Sequence, residues 1–376
     1  MGKDRSGRGF ESGAGVSARQ PRCWMLRSLA AFGALLAFAG GPAHAESRTL
    51  PVPANSGWQH AATGLVLRAK LAGLDQRTLA DSGTAELDVV ADFATPDQST
   101  VVTFYIFRPA LMSVPVWFDR SETQILLREE YRNPRPVADA RAFAPPSSDV
   151  ASALRRSYAT GSAAYAATGL AIVPMGEWLV AIRISARDPD PAGLDSKLDE
   201  VIAAIGWPEG LEDSEPAALV AACPTPLKYS RRAKLQRPNM TDAILGAALS
   251  GIVAERADAE APVDAQPVTF CRDAPGKAEY GVYRNVGDLD RDAYLMAVAD
   301  AGRTVSVAPS LGALVSGSKG YMLSFSDLDR TLVYPNFDRL PTPDKALETV
   351  QSTAPISSTA RDGGGGSTIT IDTGGE

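Results

Sequence analysis

Residues 168–208, TGLAIVPMGEWLVAIRISARDPDPAGLDSKLDEVIAAIGWP, constrain the fold more than any other stretch, because one run holds a strand period and then a helix period. Between 177 and 187 the chain alternates: Trp178, Val180, Ile182, Ile184 and Ala186 point one way, and Leu179, Ala181, Arg183, Ser185 and Arg187 the other. This predicts a strand with one wholly apolar face. Its second face is apolar at the start and charged further on, so a helix is expected over one end and water over the other. Residues 168–173 read as a hairpin partner, connected through Pro174-Met175-Gly176, where glycine supplies positive φ. Asp190 followed by Pro191 is an N-cap and a first helical position. Leu194, Leu198, Val201, Ile202 and Ile205 then form one amphipathic stripe, and Gly206 and Pro208 end it.

The 376 residues are enough for two ordinary domains. Near the N-terminus, MLRSLAAFGALLAFAGGPAHA carries Arg27, an apolar core over 29–39, a Gly-Gly-Pro breaker and an Ala43-His44-Ala45 cleavage triplet. The expectation is a secretory signal region, 1–45, removed after Ala45, with Met1 or Met25 as the start; the core falls short of the roughly 20 residues a membrane span needs. No adjacent arginine pair precedes the core, which favours the general secretory route, and Cys23 lies on the wrong side for a lipid anchor. Removing six basic and two acidic residues from 37 and 44 leaves 31 and 42, a net charge of -11. That balance argues against nucleic acid and against anionic lipid surfaces. The mature chain keeps Cys223, Cys271 and His60, and two lone cysteines in an oxidising compartment are expected to form a disulfide.

Strand patterns recur at 63–68, 74–79, 86–93 and 100–108, the last, TVVTFYIFR, apolar on both faces and so suited to the middle of a sheet. Residues 114–131 switch to helical spacing through Val114, Trp117, Phe118, Ile125 and Leu126, and 133–151 read as a surface loop. Residues 153–167 fit a strand or a helix. This order, with TVVTFYIFRP, one helix, a paired-strand segment ending in GEWLVAIRIS and a closing helix, resembles the PsbP-like superfamily, including bacterial envelope proteins of the DcrB type, over about 58–208. The resemblance implies an antiparallel sheet with covering helices (an α/β/α sandwich) used as a binding or assembly module, and carries over no site residues. Residues 46–208 are therefore expected to form that α+β domain and 209–239 a linker. Residues 240–340 are expected to form a second strand-rich α+β domain with a short small-residue helix at 239–255 and six strands, and 341–376 a disordered tail.

The sequence offers little chemistry. One mature histidine cannot build a zinc site, and neither a G-x-S-x-G elbow nor a phosphate-cradling glycine loop occurs, so no metal or cofactor is expected. Ser316-Gly317-Ser318-Lys319 matches the S-x-x-K spacing of Ser-Lys acyl transferases, making Ser316 and Lys319 the alternative catalytic pair, although no K-T-G follows. Asp288, Asp290 and Asp292 begin like a calcium loop, but Ala293 and Ala299 stand at the glycine and glutamate positions. Glu129 and Glu130 point about 100° apart on a helix and make no acid/base pair. Trp117, Tyr165 and Trp178 are candidates to line a ligand pocket, with Arg183 the suggestive charge, against a default of core packing. The expected function is a non-catalytic periplasmic or secreted binding or assembly protein whose partner is an unknown envelope protein or a small apolar ligand.

Overall fold

The computed structural model describes residues 47–53, 56–146, 148–187, 190–238, 268–310, 320–361 and 367–371, with 244, 246 and 312 as single positions. Three antiparallel strands, β1 (Leu74–Asp81), β2 (Asp88–Ala94) and β3 (Thr100–Phe107), lead into α1 (Val114–Leu127). Next come β4 (Ala153–Ala159), the hairpin of β5 (Ala167–Met175) and β6 (Trp178–Ala186), and α2 (Pro191–Ala204). The strands form a ten-stranded sheet whose spine runs β1-β2-β3-β6-β5-β4, extended by two- and three-residue edge pieces. The doubly apolar β3 sits between β2 and β6, with the Val102, Phe104 and Ile106 face buried and the Val101, Thr103 and Tyr105 face half-buried.

The hairpin and its helix form as their periodicities require. Gly176 takes φ +60 at the turn, and Asp190 caps α2 by accepting from the Gly193 amide at 2.6 Å. All five stripe residues of α2 are buried, against Val180, Ile182 and Ile184 on one face and Ala171 and Val173 beside them. The opposite face, with Leu170, Ile172, Leu179 and Ala181, packs against Trp117 and Phe118 of α1. Ion pairs bind β4 to both helices: Arg155 reaches Asp195 and Asp199 of α2, and Arg156 with the Tyr158 hydroxyl reaches Glu122 of α1.

The second sheet is a meander of β7 (Phe270–Arg272), β8 (Tyr280–Asn285), β9 (Tyr294–Val298), β10 (Arg303–Pro309), β11 (Tyr321–Ser326) and β12 (Arg330–Phe337). After α3 (Pro343–Ser352) it continues into β13 (Ser357–Arg361) and β14 (Ser367–Ile371). Among the described strands of this sheet the pairing is antiparallel except at one edge, where Ala221–Ala222 runs parallel to β7. There Cys223 and Cys271 form the expected disulfide, with Cα atoms 4.9 Å apart. Among the described residues, no helix is long and apolar enough to cross a membrane. The molecule is mostly antiparallel β-sheet with few helices.

Several expectations need correction. Of the two arginines on the charged face, Arg183 is covered by the β9–β10 turn of the second sheet and pairs with Asp300, whereas Arg187, just past β6, is exposed as expected. The strand expected at 63–68 shrinks to Val66–Leu67, which pairs with Trp58–Gln59. Within the 133–151 loop, Arg135–Pro136 and Arg141–Phe143 pair with β4, which resolves the 153–167 ambiguity as a strand. The tail expected to be disordered from 341 is ordered over its described residues. Thr342 caps α3 by accepting from the Lys345 amide at 3.3 Å, Pro343 occupies the first turn, and Ala346, Leu347 and Val350 pack on the second core. Low apolar content hid a short helix whose few apolar residues share one side. The small-residue helix expected at 239–255 falls outside the described residues except at 244 and 246.

Candidate functional site

The residues expected to line a pocket do not converge. Trp117 is fully buried on the α1 side, where its indole N–H donates to the Leu111 carbonyl at 2.7 Å and its ring meets Phe107 edge-on. Trp178 is buried on the α2 side of the same sheet. His60 is packed edge-on against it at 4.4 Å, with Nδ1 2.8 Å from the Thr63 hydroxyl and Nε2 3.0 Å from the Glu86 carbonyl. Both ring nitrogens are thus engaged within the fold, which explains a buried histidine without chemistry. Tyr165 is half-buried in the β4–β5 loop, where burial raises its pKa. Arg183 is the one of the four that meets a charged partner: it pairs with Asp300 and lies 5.4 Å from the Tyr105 ring centroid.

The densest polar constellation lies where α1 meets the second sheet. Arg120 is completely buried and directs three donors at main-chain carbonyls: Nε to Ala299 at 2.7 Å, Nη1 to Lys277 at 2.9 Å and Nη2 to Ala278 at 3.0 Å. Gln124, one turn on, also donates to Ala278, at 2.5 Å. On the preceding residue, Asp119 Oδ2 accepts from the Tyr283 hydroxyl at 2.6 Å, and Oδ1 accepts from Arg272 of β7. Arg303 bridges Asp88 of β2, at 3.4 Å, and Asp327 of the β11–β12 turn, at 2.9 Å.

Two glycines let these surfaces close. A Cβ on Gly281 would stand 2.6 Å from the Tyr283 hydroxyl and 2.8 Å from Arg120 Cδ. Gly302, at φ +81, donates no side chain to a turn pressed against Phe107 and Pro109, and its carbonyl accepts from the Ala110 amide at 2.7 Å.

Electrostatics at this junction follow from burial. Asp119 has a raised pKa because desolvation outweighs the Tyr283 hydrogen bond and the Arg272 charge. Tyr283 is pushed up by burial and by the adjacent Asp119, and Arg120 is pulled down by burial. Burial works against the charge of Arg183, yet Asp300 and the neighbouring tyrosines outweigh it and hold its pKa above the ordinary arginine value. An oxyanion site needs donors aimed at a position a substrate can occupy, but the three described Arg120 donors are aimed at the protein's own carbonyls. The arrangement is a staple between two sheets.

Other sequence candidates stand apart from this junction. Ser316 and Lys319 lie outside the described residues. Asp288 pairs with Arg291 at 3.8 Å, and Asp292 accepts from the Tyr321 hydroxyl at 3.4 Å. Glu129 and Glu130 sit in a 3-10 turn, not in the helix, and Glu130 pairs with Arg128 at 2.7 Å. No three His, Cys, Asp or Glu residues are grouped for a metal among the described residues. An open groove of about 420 Å³ beside α3 is lined by Lys277, Tyr280, Asp344 and Glu348, but Lys277 and Asp344 already pair at 2.6 Å.

Asp119, Arg120, Arg272 and Tyr283 were missed by sequence reasoning. The available signal was that Trp117-Phe118-Asp119-Arg120 interrupts an apolar stripe with a charge pair, which suggests a helix covered on more than one side. Comparison with protein-family models, curated proteins and solved structures finds no match to this chain.

Proposed function

We propose that the chain is a periplasmic or secreted, non-catalytic assembly protein. In this reading the first sheet with α1 and α2 acts as a PsbP-like α/β/α sandwich, and the second sheet is an accessory fixed to it. The observation that carries the reading is that the residues expected to line a pocket are packed apart from one another. Trp117 and Trp178 are spent on separate cores, and the polar groups of the α1 junction are bonded to one another, which leaves the outer surface for recognition. The Cys223–Cys271 disulfide supports an oxidising compartment, and a leader cleaved after Ala45 would deliver the chain there.

Crosslinking in intact cells tests this, with the expected result a reproducible adduct of defined mass that includes this chain. Turnover of an acyl ester, together with labelling by a serine-directed probe that is lost in Ser316→Ala, would replace the reading with a hydrolase. Thiol titration of the denatured mature protein is expected to find no free cysteine. Free thiols at 223 and 271 in protein taken directly from the cell envelope would remove the compartment assignment.

A further inference from the structure

The chain carries a net charge of -7, and its buried or half-buried arginines are engaged: Arg120 with carbonyls, and Arg155, Arg183, Arg272 and Arg303 with carboxylates. Residues 228–237, KYSRRAKLQR, break this pattern. Lys228, Arg231, Arg232, Lys234 and Arg237 are all exposed, no acidic residue lies among them in sequence, and none forms an ion pair within the described residues.

The backbone beneath them is fixed. The Ser230 amide donates to the Leu340 carbonyl at 2.8 Å, the Lys234 amide to Asp338 Oδ1 at 2.7 Å, and the Gln236 amide to the Asn336 carbonyl at 2.8 Å. Ala233 is fully buried, and Leu227 and Tyr229 pack on the second core. The segment therefore spends its apolar residues inward and holds five cations outward. A single large apolar side chain, Leu235, stands exposed among them at 39%. Like charges so placed repel one another unless an anionic surface meets them.

We propose that this segment docks the protein on the anionic phospholipid headgroups of a bilayer. Screening makes the local patch, and not the whole-chain charge, decide contact over a distance of about 10 Å. Cations flanking an exposed aliphatic side chain fit the bilayer interface, where the charges meet headgroups and the leucine enters the acyl boundary. Single-stranded nucleic acid fits less well, because it asks for outward aromatic rings and Tyr229 is turned toward the core, its hydroxyl on Asp273.

Amine-acylation footprinting of the full chain tests the proposal at the segment itself. Vesicles of equimolar phosphatidylcholine and phosphatidylglycerol should slow acylation of Lys228 and Lys234 severalfold while leaving Lys70, on the first sheet, unchanged. Phosphatidylcholine alone should protect none of the three. The triple variant Arg231→Gln/Arg232→Gln/Lys234→Gln keeps the N-terminal region intact, so its loss of vesicle partitioning, about fivefold per charge, belongs to this segment. Leu235→Ser should weaken it further. Unchanged lysine reactivity on anionic vesicles, equal protection by neutral ones, or undiminished partitioning of the triple variant overturns the proposal. So does stronger protection by an oligonucleotide or by polyglutamate at matched charge, which would reassign the segment to nucleic acid or to an acidic polypeptide.

Discussion

The two faces of the first sheet are covered in opposite ways. On the α2 face five aliphatic side chains from one helix and its C-cap meet the even-numbered residues of β6, and the contact is apolar apart from the Arg155 ion pairs at β4. On the α1 face an apolar patch around Trp117 and Phe118 gives way to Asp119 and Arg120, which reach past the first sheet into the second. The first contact is non-directional and tolerates repacking. The second depends on a few donors meeting particular carbonyls, so it specifies one docking geometry and is costly to disturb.

That difference sets the size of what substitutions should do. Arg120→Ala removes three hydrogen bonds made by a fully buried guanidinium and opens a cavity, and we expect a loss of about 4 kcal/mol in urea denaturation, with Arg120→Lys restoring only part because one ammonium cannot reproduce the fork. Leu198→Ala on the other face should cost about 3 kcal/mol. It should lower the stability of the whole without changing how the two sheets unfold relative to each other. A Leu198→Ala variant that separated the sheets, or an Arg120→Ala variant indistinguishable from wild type, would erase the contrast.

Asp119 sharpens it through pH. Its folded pKa is raised above the ordinary 3.8, so between those values the folded state holds more proton than the unfolded one, and this contribution to stability falls as pH rises through the window. Asparagine does not titrate. Denaturation midpoints from pH 3 to 7 should therefore show the gap between wild type and Asp119→Asn widest below pH 3.8 and narrower above the window. A gap that grows with pH would mean that the Arg272 partnership dominates instead. The smallest effect belongs to the α2 side: Asp190→Ala removes the cap on the Gly193 amide and should cost about 1 kcal/mol, readable as a small drop in melting temperature.

The same contrast explains what was legible in the sequence. The α2 contact could be read because both partners lie within 168–208 and each carries its own period: the alternation of Trp178, Val180, Ile182 and Ile184, then the Leu194-Leu198-Val201 stripe behind an Asp-Pro cap. The six strands of the meander were legible because each pairs with its sequence neighbour. The junction was not. Arg120 meets residues 277, 278 and 299, more than 150 positions away, and a hydrogen bond to a carbonyl leaves no mark on the side chains of the residues that accept it. For Arg183 the acidic balance of the chain pointed to a carboxylate partner but not to which one, since Asp300 belongs to the other sheet. The exposed cations of 228–237 were obscured by the acidic whole, and α3 by a tail rich in proline, serine and threonine.

The central claim is that α1 makes the two sheets one cooperative body. Hydrogen exchange followed by mass spectrometry across a denaturant series tests it directly, using amides of β5 and β6 for the first sheet and of β9 and β10 for the second. Both sets should lose protection at one denaturant concentration in the wild type and at two in Arg120→Ala. Two separate transitions in the wild type, or one unbroken transition in Arg120→Ala, would contradict it.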